Sequence, residues 1–224
     1  MNRFTAVLMA LIALSLPEMT RVGAQENAGT LEMTERLMDE KFSSPRKSRA
    51  VVDMVMVHFS SAVNVHPEDP YRVEDVIKTY EGAPASTHYL IDREGKIYRL
   101  VKEERAAWHA GKGKLPWQPD RENAMNGSSI GIEIMAIGSK RDMTKHGLMK
   151  ASLWEKVRKE HPQFIGYTDA QYEALKKLLA DIAQRRPAVK LDRKHVVGHE
   201  EYAPERKTDP GELFEWKRLG LKER

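Results

Sequence analysis

Apolar and polar positions follow strand-like patterns in several stretches of the chain. Residues 51–57 are apolar apart from one aspartate, which is typical of a strand buried on both faces. Residues 87–92 and 96–101 flank an Arg-Glu-Gly turn and predict a β-hairpin. Residues 129–134 form a further predicted strand, on which alternation places Glu133 on the face opposite its isoleucine neighbours.

Helical spacing of apolar residues marks other segments. The first is predicted to begin at Asp69-Pro70, with proline at the first helical position, and to end at Gly82. Its apolar residues have the spacing i, i+3, i+4 and i+7: Val73, Val76, Ile77 and Tyr80. In the second, residues 168–171 fit a capping box and precede one apolar face: Tyr172, Leu175, Leu178, Leu179 and Ile182. Because strands mix with helices and include a hairpin, the chain is predicted to form a single α/β domain, with a central mixed β-sheet flanked by helices.

The same patterns divide the chain into segments. Residues 25–47 are polar apart from an apolar stretch around residues 31–38, and predict an N-terminal linker with a short helix. Residues 48–217 contain the predicted domain, in which the basic residues 138–166 show rough helical spacing and are interpreted as a helical insertion. Residues 218–224 form a predicted C-terminal tail.

The N-terminus has the parts of a secretory signal peptide. A basic start precedes an apolar run at residues 4–17, and Val-Gly-Ala resembles a signal-peptidase site before Gln25. The run is short for a membrane span. Residues 1–24 are therefore predicted to be a cleaved signal peptide, the alternative being an uncleaved anchor. The mature protein is expected to be exported, either periplasmic or secreted, without stable membrane insertion.

Composition narrows the classes of protein and partner. The chain has 224 residues, of which 41% are hydrophobic and 31% charged, as in soluble globular proteins. It contains no cysteine, which excludes disulfides and thiolate metal sites. The formal charge of +4 favours an anionic polymer such as a cell wall, but is too small to predict nucleic-acid binding.

A loop near the C-terminus concentrates groups that can bind a metal. In residues 198–211, His199 offers a ring nitrogen and Asp209 a carboxylate, both common zinc ligands, and Lys207 adds a positive charge. Catalytic zinc usually has three protein ligands and one open position, and His58 at the end of the first buried strand is the candidate for the third. The alternatives are a surface ion pair in the loop and a core histidine at position 58.

Several motifs resemble those of the type 2 N-acetylmuramoyl-L-alanine amidases, which are related to phage lysozyme-type amidases and to peptidoglycan recognition proteins. They occur in the order seen in that family: Val57-His58, residues 88–95, Trp108-His109-Ala110-Gly111, Ile130-Gly131-Ile132-Glu133, and residues 198–211. The resemblance covers roughly residues 48–217 and implies the amidase fold. Thr87 departs from relatives that have a tyrosine before the hairpin histidine, so the acid/base role is expected at Glu133.

The resemblance further implies a set of site residues and a reaction. One zinc ion would be bound by His58, His199 and Asp209, the catalytic charges would be carried by Glu133 and Lys207, and the substrate groove would contain Trp108, His109 and Asn126. The implied reaction is hydrolysis of the amide between N-acetylmuramic acid and L-alanine in peptidoglycan or muropeptides. The protein is expected to be a monomer.

Other interpretations stay open at this point. Glu133 could be a structural carboxylate paired with Lys207, and His109 could stabilise its loop rather than contact substrate. A peptidoglycan-binding module without activity would be favoured if Glu133 pointed away from the metal site. A zinc peptidase of the commonest type is disfavoured, because the chain has no His-Glu-x-x-His helix.

Overall fold

Six strands assemble into one mixed sheet. The computed structural model describes residues 31–48 and 50–224. The strands are β1 Thr34–Glu35, β2 Ser43–Pro45, β3 Met54–Ser60, β4 Tyr89–Ile91, β5 Ile97–Arg99, β6 Arg105–Ala107, β7 Ser129–Met135 and β8 Val196–Gly198. The order of the strands in the sheet is β1-β5-β4-β7-β3-β8. All neighbours in it are parallel except the β4–β5 hairpin, and β2 pairs separately with β6. The predicted α/β architecture with a mixed sheet is confirmed.

Helices connect and cover these strands. The α-helices are α1 Val73–Gly82, α2 Met125–Ser128, α3 Lys140–Thr144, α4 Ala151–Glu160, α5 Asp169–Arg185 and α6 His199–Tyr202. Short 3-10 helices occur at Glu40–Phe42, Pro119–Arg121, Pro162–Phe164 and Trp216–Leu219. Within the described ranges, no helix combines the length and apolar character needed to cross a membrane. The predicted signal peptide lies outside the described residues.

Helix α5 forms where the capping signal predicts it. The Thr168 hydroxyl accepts from the Gln171 amide at 3.2 Å, and the Gln171 side chain accepts from the Thr168 amide at 2.9 Å. These two bonds satisfy donors that every helix start leaves free. The buried apolar face of α5 then packs on one side of the sheet, against residues such as Val55, Val57 and Ile132.

The other side of the sheet carries different residues because side chains alternate along each strand. On β3, Met54 and Met56 pack there with Val197, Ala110 and Met125. His58 and Glu133 share the parity of these positions, so both project from the side opposite α5.

The predicted helix around residues 31–38 is wrong. Thr34–Glu35 instead forms β1, which pairs in parallel with β5, and the flanking Leu31 and Met33 pack against the core. Helix nucleation is unfavourable, and so short a segment forms too few helical hydrogen bonds to offset it. The free edge of β5 instead offers the segment backbone hydrogen-bond partners.

Two element boundaries also differ from prediction. Strand β3 begins at Met54 rather than at residue 51. Val51 is exposed, and Asp53 Oδ2 forms an ion pair with Arg121 Nη2 at 2.6 Å. Helix α1 begins at Val73 rather than at Pro70, whose carbonyl accepts from the Ala62 amide and so holds the preceding loop.

The basic segment at residues 138–166 folds into α3, α4 and one 3-10 helix. Its Met143, Trp154 and Val157 are buried with Val63 in a cluster of their own. The Trp154 indole donates to the Gly138 carbonyl at 3.1 Å. The segment is therefore anchored to the loop that follows β3, beside the ends of the central strands.

Candidate active site

Three parallel strands deliver the candidate catalytic groups to one edge of the sheet. His58 on β3 lies directly opposite Glu133 on β7, and Val57 pairs with Gly198, which precedes His199. Neighbouring strands are about 4.8 Å apart, so these side chains become neighbours through register alone. The carboxyl ends of parallel strands are where open α/β sheets usually bind ligands.

His58, His199 and Asp209 converge on one point. His58 Nδ1 lies 2.7 Å from Asp209 Oδ2 and 3.0 Å from His199 Nδ1, and the latter atom lies 3.0 Å from Asp209 Oδ2. All three residues are buried. The three predicted ligands thus form a compact set of two imidazole nitrogens and one carboxylate oxygen that could hold a metal ion.

The hydrogen bonds of His199 indicate that this cluster fits a cation. Its Nε2 donates to the Ala110 carbonyl at 2.9 Å, which leaves a lone pair on Nδ1 in the neutral ring. Nδ1 lies 3.0 Å from Asp209 Oδ2, so its lone pair faces the carboxylate. The lone pair and the negatively charged oxygen repel each other unless a positive charge lies between them. Two neutral imidazoles and one carboxylate are a common ligand set of zinc.

The electrostatics of the cluster agree with ligands that are ready to bind. Burial, followed by the nearby His199, lowers the pKa of His58 to about 4, so its ring is neutral at pH 7. Metal ligands must be deprotonated in this way.

The loop that carries Asp209 is fixed by several bonds. The Thr208 hydroxyl donates to the Asp142 carbonyl at 2.8 Å, and the Glu200 amide donates to the Asp209 carbonyl at 2.9 Å. The hydroxyl of the partly buried Tyr167 donates to the Pro210 carbonyl at 2.6 Å, next to a cis Asp209–Pro210 peptide. These contacts hold the carboxylate ligand at a set position.

A cavity of about 260 Å³ opens above the cluster. Glu133 and Lys207 both line it, together with the three candidate ligands. Burial and the Asp209 carboxylate raise the pKa of Glu133 well above its ordinary value, while Lys207 opposes the shift. The Glu133 Oε2 atom is buried and has no hydrogen-bond partner in the described part of the chain.

The three predicted groove residues occupy different places. Trp108 lines the cavity, and its indole donates to the Ser44 hydroxyl at 2.7 Å. His109 also reaches the cavity wall, but it is 9% exposed and its Nδ1 lies 3.0 Å from His58 Nε2. Asn126 is not part of the cavity lining, and its Oδ1 accepts from two backbone amides of the Trp-His-Ala loop. A substrate-contact role for each stays a prediction.

Sequence reasoning missed other parts of the cavity wall. Met143 and Leu148 come from the 138–166 segment, and the Asn64 side chain donates to the Leu148 carbonyl at 2.7 Å. Tyr80 and Ser60 also line the cavity, with 2.6 Å between their hydroxyl oxygens. No sequence signal marks these residues, because they meet only through contacts distant in the chain.

The sequence of the domain matches a known family over most of its length. The profile described as N-acetylmuramoyl-L-alanine amidase matches residues 47–212. The chain belongs to the N-acetylmuramoyl-L-alanine amidase family. The motif resemblance noted from the sequence is thereby confirmed.

Relatives within this amidase family are moderately similar. The chain is 35% identical over 134 residues to the 1,6-anhydro-N-acetylmuramyl-L-alanine amidase AmpD of Citrobacter freundii, a match that covers 60% of this chain and 54% of that protein. The chain spans about half the length of the curated relatives it matches.

Solved structures share the fold. A selenomethionine derivative of AmpD has a TM-score of 0.60 at 25% identity, with 86% of this chain and 95% of that chain covered. AmpDh3 of Pseudomonas aeruginosa, in complex with an anhydromuramic pentapeptide, has a TM-score of 0.56 at 30% identity, with 76% of this chain and 60% of that chain covered. The mixed sheet is therefore the amidase fold.

Proposed function

We propose that this protein is a zinc-dependent N-acetylmuramoyl-L-alanine amidase. It would hydrolyse the amide between the lactyl group of N-acetylmuramic acid and the L-alanine of the stem peptide. The proposal rests mainly on the convergence of His58, His199 and Asp209, whose candidate ligand atoms lie 2.7–3.0 Å apart. The cavity beside them is also lined by Glu133 and Lys207. Family membership supports it, since the relatives' names state this chemistry.

His58 Nδ1, His199 Nδ1 and an Asp209 oxygen would hold the ion. Zinc in such a site acts as a Lewis acid towards a carbonyl and makes hydroxide available near neutral pH. The oxygen-rich shell that magnesium or calcium prefers is missing from the cluster, which favours zinc.

Glu133 would move the proton. As the water oxygen bonds to the amide carbon, the Glu133 carboxylate takes one proton from that water, and it returns the proton to the alanine nitrogen as the carbon–nitrogen bond breaks. A raised pKa suits this double role, since the group must hold the proton between the two steps. Glu133 Oε2 has no competing hydrogen bond among the described residues.

Lys207 would stabilise the negative charge that develops on the former carbonyl oxygen. Lys207 lines the same cavity as Glu133 and the ligand cluster. A single donor to such an oxyanion typically contributes about 2.7–4 kcal/mol to the barrier reduction. The presence of Asp209, and the position of Glu133 in the wall of the same cavity, disfavour the alternative of a binding module without activity.

We propose muropeptides, including the anhydro form, as substrates beside intact wall. The support comes from relatives: AmpD is named for the anhydro sugar, and one AmpDh3 structure is a complex with an anhydromuramic pentapeptide.

Export through residues 1–24 is likewise a proposal, and N-terminal sequencing of the mature protein would test it: we expect a start at Gln25.

The test is digestion of purified peptidoglycan and of anhydromuropeptides by the full chain, with products read by mass spectrometry. We expect free stem peptides that begin with L-alanine, lost on chelation and restored by zinc. His199→Ala should abolish turnover, whereas His195→Ala, at a partly exposed histidine outside the cluster, should retain it. Zinc binding without any product on either substrate would overturn the amidase proposal.

A further inference from the structure

One dipeptide contacts both histidines of the candidate metal cluster. His109 Nδ1 lies 3.0 Å from His58 Nε2, and the Ala110 carbonyl accepts from His199 Nε2 at 2.9 Å. In each histidine this is the ring nitrogen that faces away from the cluster. The dipeptide therefore supplies a hydrogen-bond partner to both imidazoles on the side remote from the cluster.

The direction of these bonds follows from the serine beside His109. The Ser129 hydroxyl donates its only proton to the Met125 carbonyl at 2.6 Å, because a carbonyl cannot donate. Its oxygen must then accept from His109 Nε2, which lies 3.2 Å away. With the proton on Nε2, the neutral His109 ring has a lone pair on Nδ1, so His58 Nε2 is the donor between the two histidines.

We propose that His109 and Ser129 are positioning residues, which hold His58 in the tautomer whose Nδ1 is free to bind the metal. The inference rests on the proposed zinc function. It assigns to His109 a role behind the ligand, one of the two roles that the sequence leaves open. Partners of this kind, on the second nitrogen of a ligating histidine, orient the ring and fix its tautomer.

The surroundings of His109 are built for this position. A Cβ atom at Gly131 would lie 2.6 Å from His109 Cγ, so only glycine on β7 leaves room for the ring. Asn126 Oδ1 accepts from the amides of His109 and Ala110, at 3.1 and 2.8 Å. The ring and the backbone of the dipeptide are thus held from two separate elements.

The neighbouring His88 does not compete for the same role. Its Nδ1 accepts from the Gly131 amide at 3.0 Å, and its Nε2 donates to the Arg105 carbonyl at 3.1 Å. Its Nε2 also lies 3.0 Å from Arg46 Nη2, so both ring nitrogens have neighbours other than His58. His88 supports β7 under His109. Among the described histidines, only His109 lies within hydrogen-bond distance of His58 Nε2.

The first experiment measures zinc affinity by competition with a chelator, using the full chain. Ser129→Ala removes the acceptor for His109 and should weaken zinc binding about 10- to 100-fold. Ser128→Ala is the matched control, because the adjacent Ser128 hydroxyl is buried but has no hydrogen-bond partner in the described residues. We expect the control to bind zinc as the native protein does.

A rescue pair separates positioning from packing. His109→Leu removes the acceptor for His58 and should lose zinc affinity to a similar degree. His109→Asn places a side-chain oxygen near the Nδ1 position and should recover most of it. Circular dichroism of each variant checks folding, and the Ser129 and Ser128 pair remains decisive if the leucine variant does not fold.

Nitrogen NMR of the histidine rings gives a second, activity-independent result. In the metal-free protein we expect the Nε2–H tautomer at both His58 and His109. An Nδ1–H tautomer at His58, or equal zinc affinity of the Ser129→Ala and Ser128→Ala variants, would overturn the inference while leaving the amidase proposal intact. A native protein that does not bind zinc would overturn both.

Discussion

The ion-pair network at Glu103 should make the stability of the protein fall in acid. The Glu103 side chain is 4% exposed, and it accepts hydrogen bonds from Arg185 at 2.9 Å, from Tyr89 at 2.6 Å and from Arg186. It links the loop before β6 to the end of α5. Burial raises the pKa of this carboxyl, but these three partners outweigh it and lower the pKa to about 2.

The size of the effect follows from the shift in pKa. The ordinary value is 4.5 and the folded value about 2, a difference of about 2.5, which at 1.36 kcal/mol per unit corresponds to about 3 kcal/mol. Because the folded-state pKa is depressed, the stabilisation is fully present above pH 4.5. It should be lost progressively as the pH falls from 4.5 towards 2.

Urea denaturation at several pH values between 7 and 2 would measure this loss. We expect the difference in unfolding free energy between the native protein and Glu103→Gln to shrink by about 3 kcal/mol over that interval. Groups titrating elsewhere cancel in the difference. The adjacent Glu104→Gln is the control, because that side chain is 77% exposed. A native-minus-variant difference independent of pH would refute the reasoning.

Three further predictions concern the site. Glu133→Gln should lower kcat about 100-fold or more while zinc affinity is kept, and loss of zinc binding would contradict the acid/base role. In the metal-free protein the same substitution should raise the unfolding free energy at neutral pH, because ionisation of a carboxyl with a raised pKa destabilises the folded state. Leu148→Ser in the cavity wall should raise KM for muropeptides roughly tenfold with little change in kcat, whereas Leu191→Ser, at a similarly exposed leucine outside the cavity, should change neither. Gly131→Ala should lower the unfolding free energy, measured by urea denaturation, by about 1–3 kcal/mol, because the added methyl group meets the His109 ring. Gly127→Ala is the control and should not lower it, since a Cβ atom there meets nothing within 4 Å.

Local patterns in the sequence predicted most of the fold. The buried runs on β3 and β7, the Gly95 hairpin and the α5 capping box depend on neighbours within a few residues, so they can be recognised without the tertiary structure. The segment at residues 31–38 could not, because its conformation is set by the free edge of β5. Propensity is a weak guide where a distant partner supplies the backbone bonds.

The sequence by itself determined which residue types were available for chemistry. It provided two histidines, an aspartate, a glutamate and a lysine in motifs that indicate a metal amidase, and alternation on β7 determined the face that Glu133 occupies. Only the tertiary structure decided how these groups meet, because strand register brings His58 beside Glu133 and His199 from positions far apart in the chain. The tertiary structure likewise decided the hydrogen bond between His109 and His58. The partner of a buried imidazole depends on how the surrounding residues pack, and no periodic pattern in the sequence predicts it.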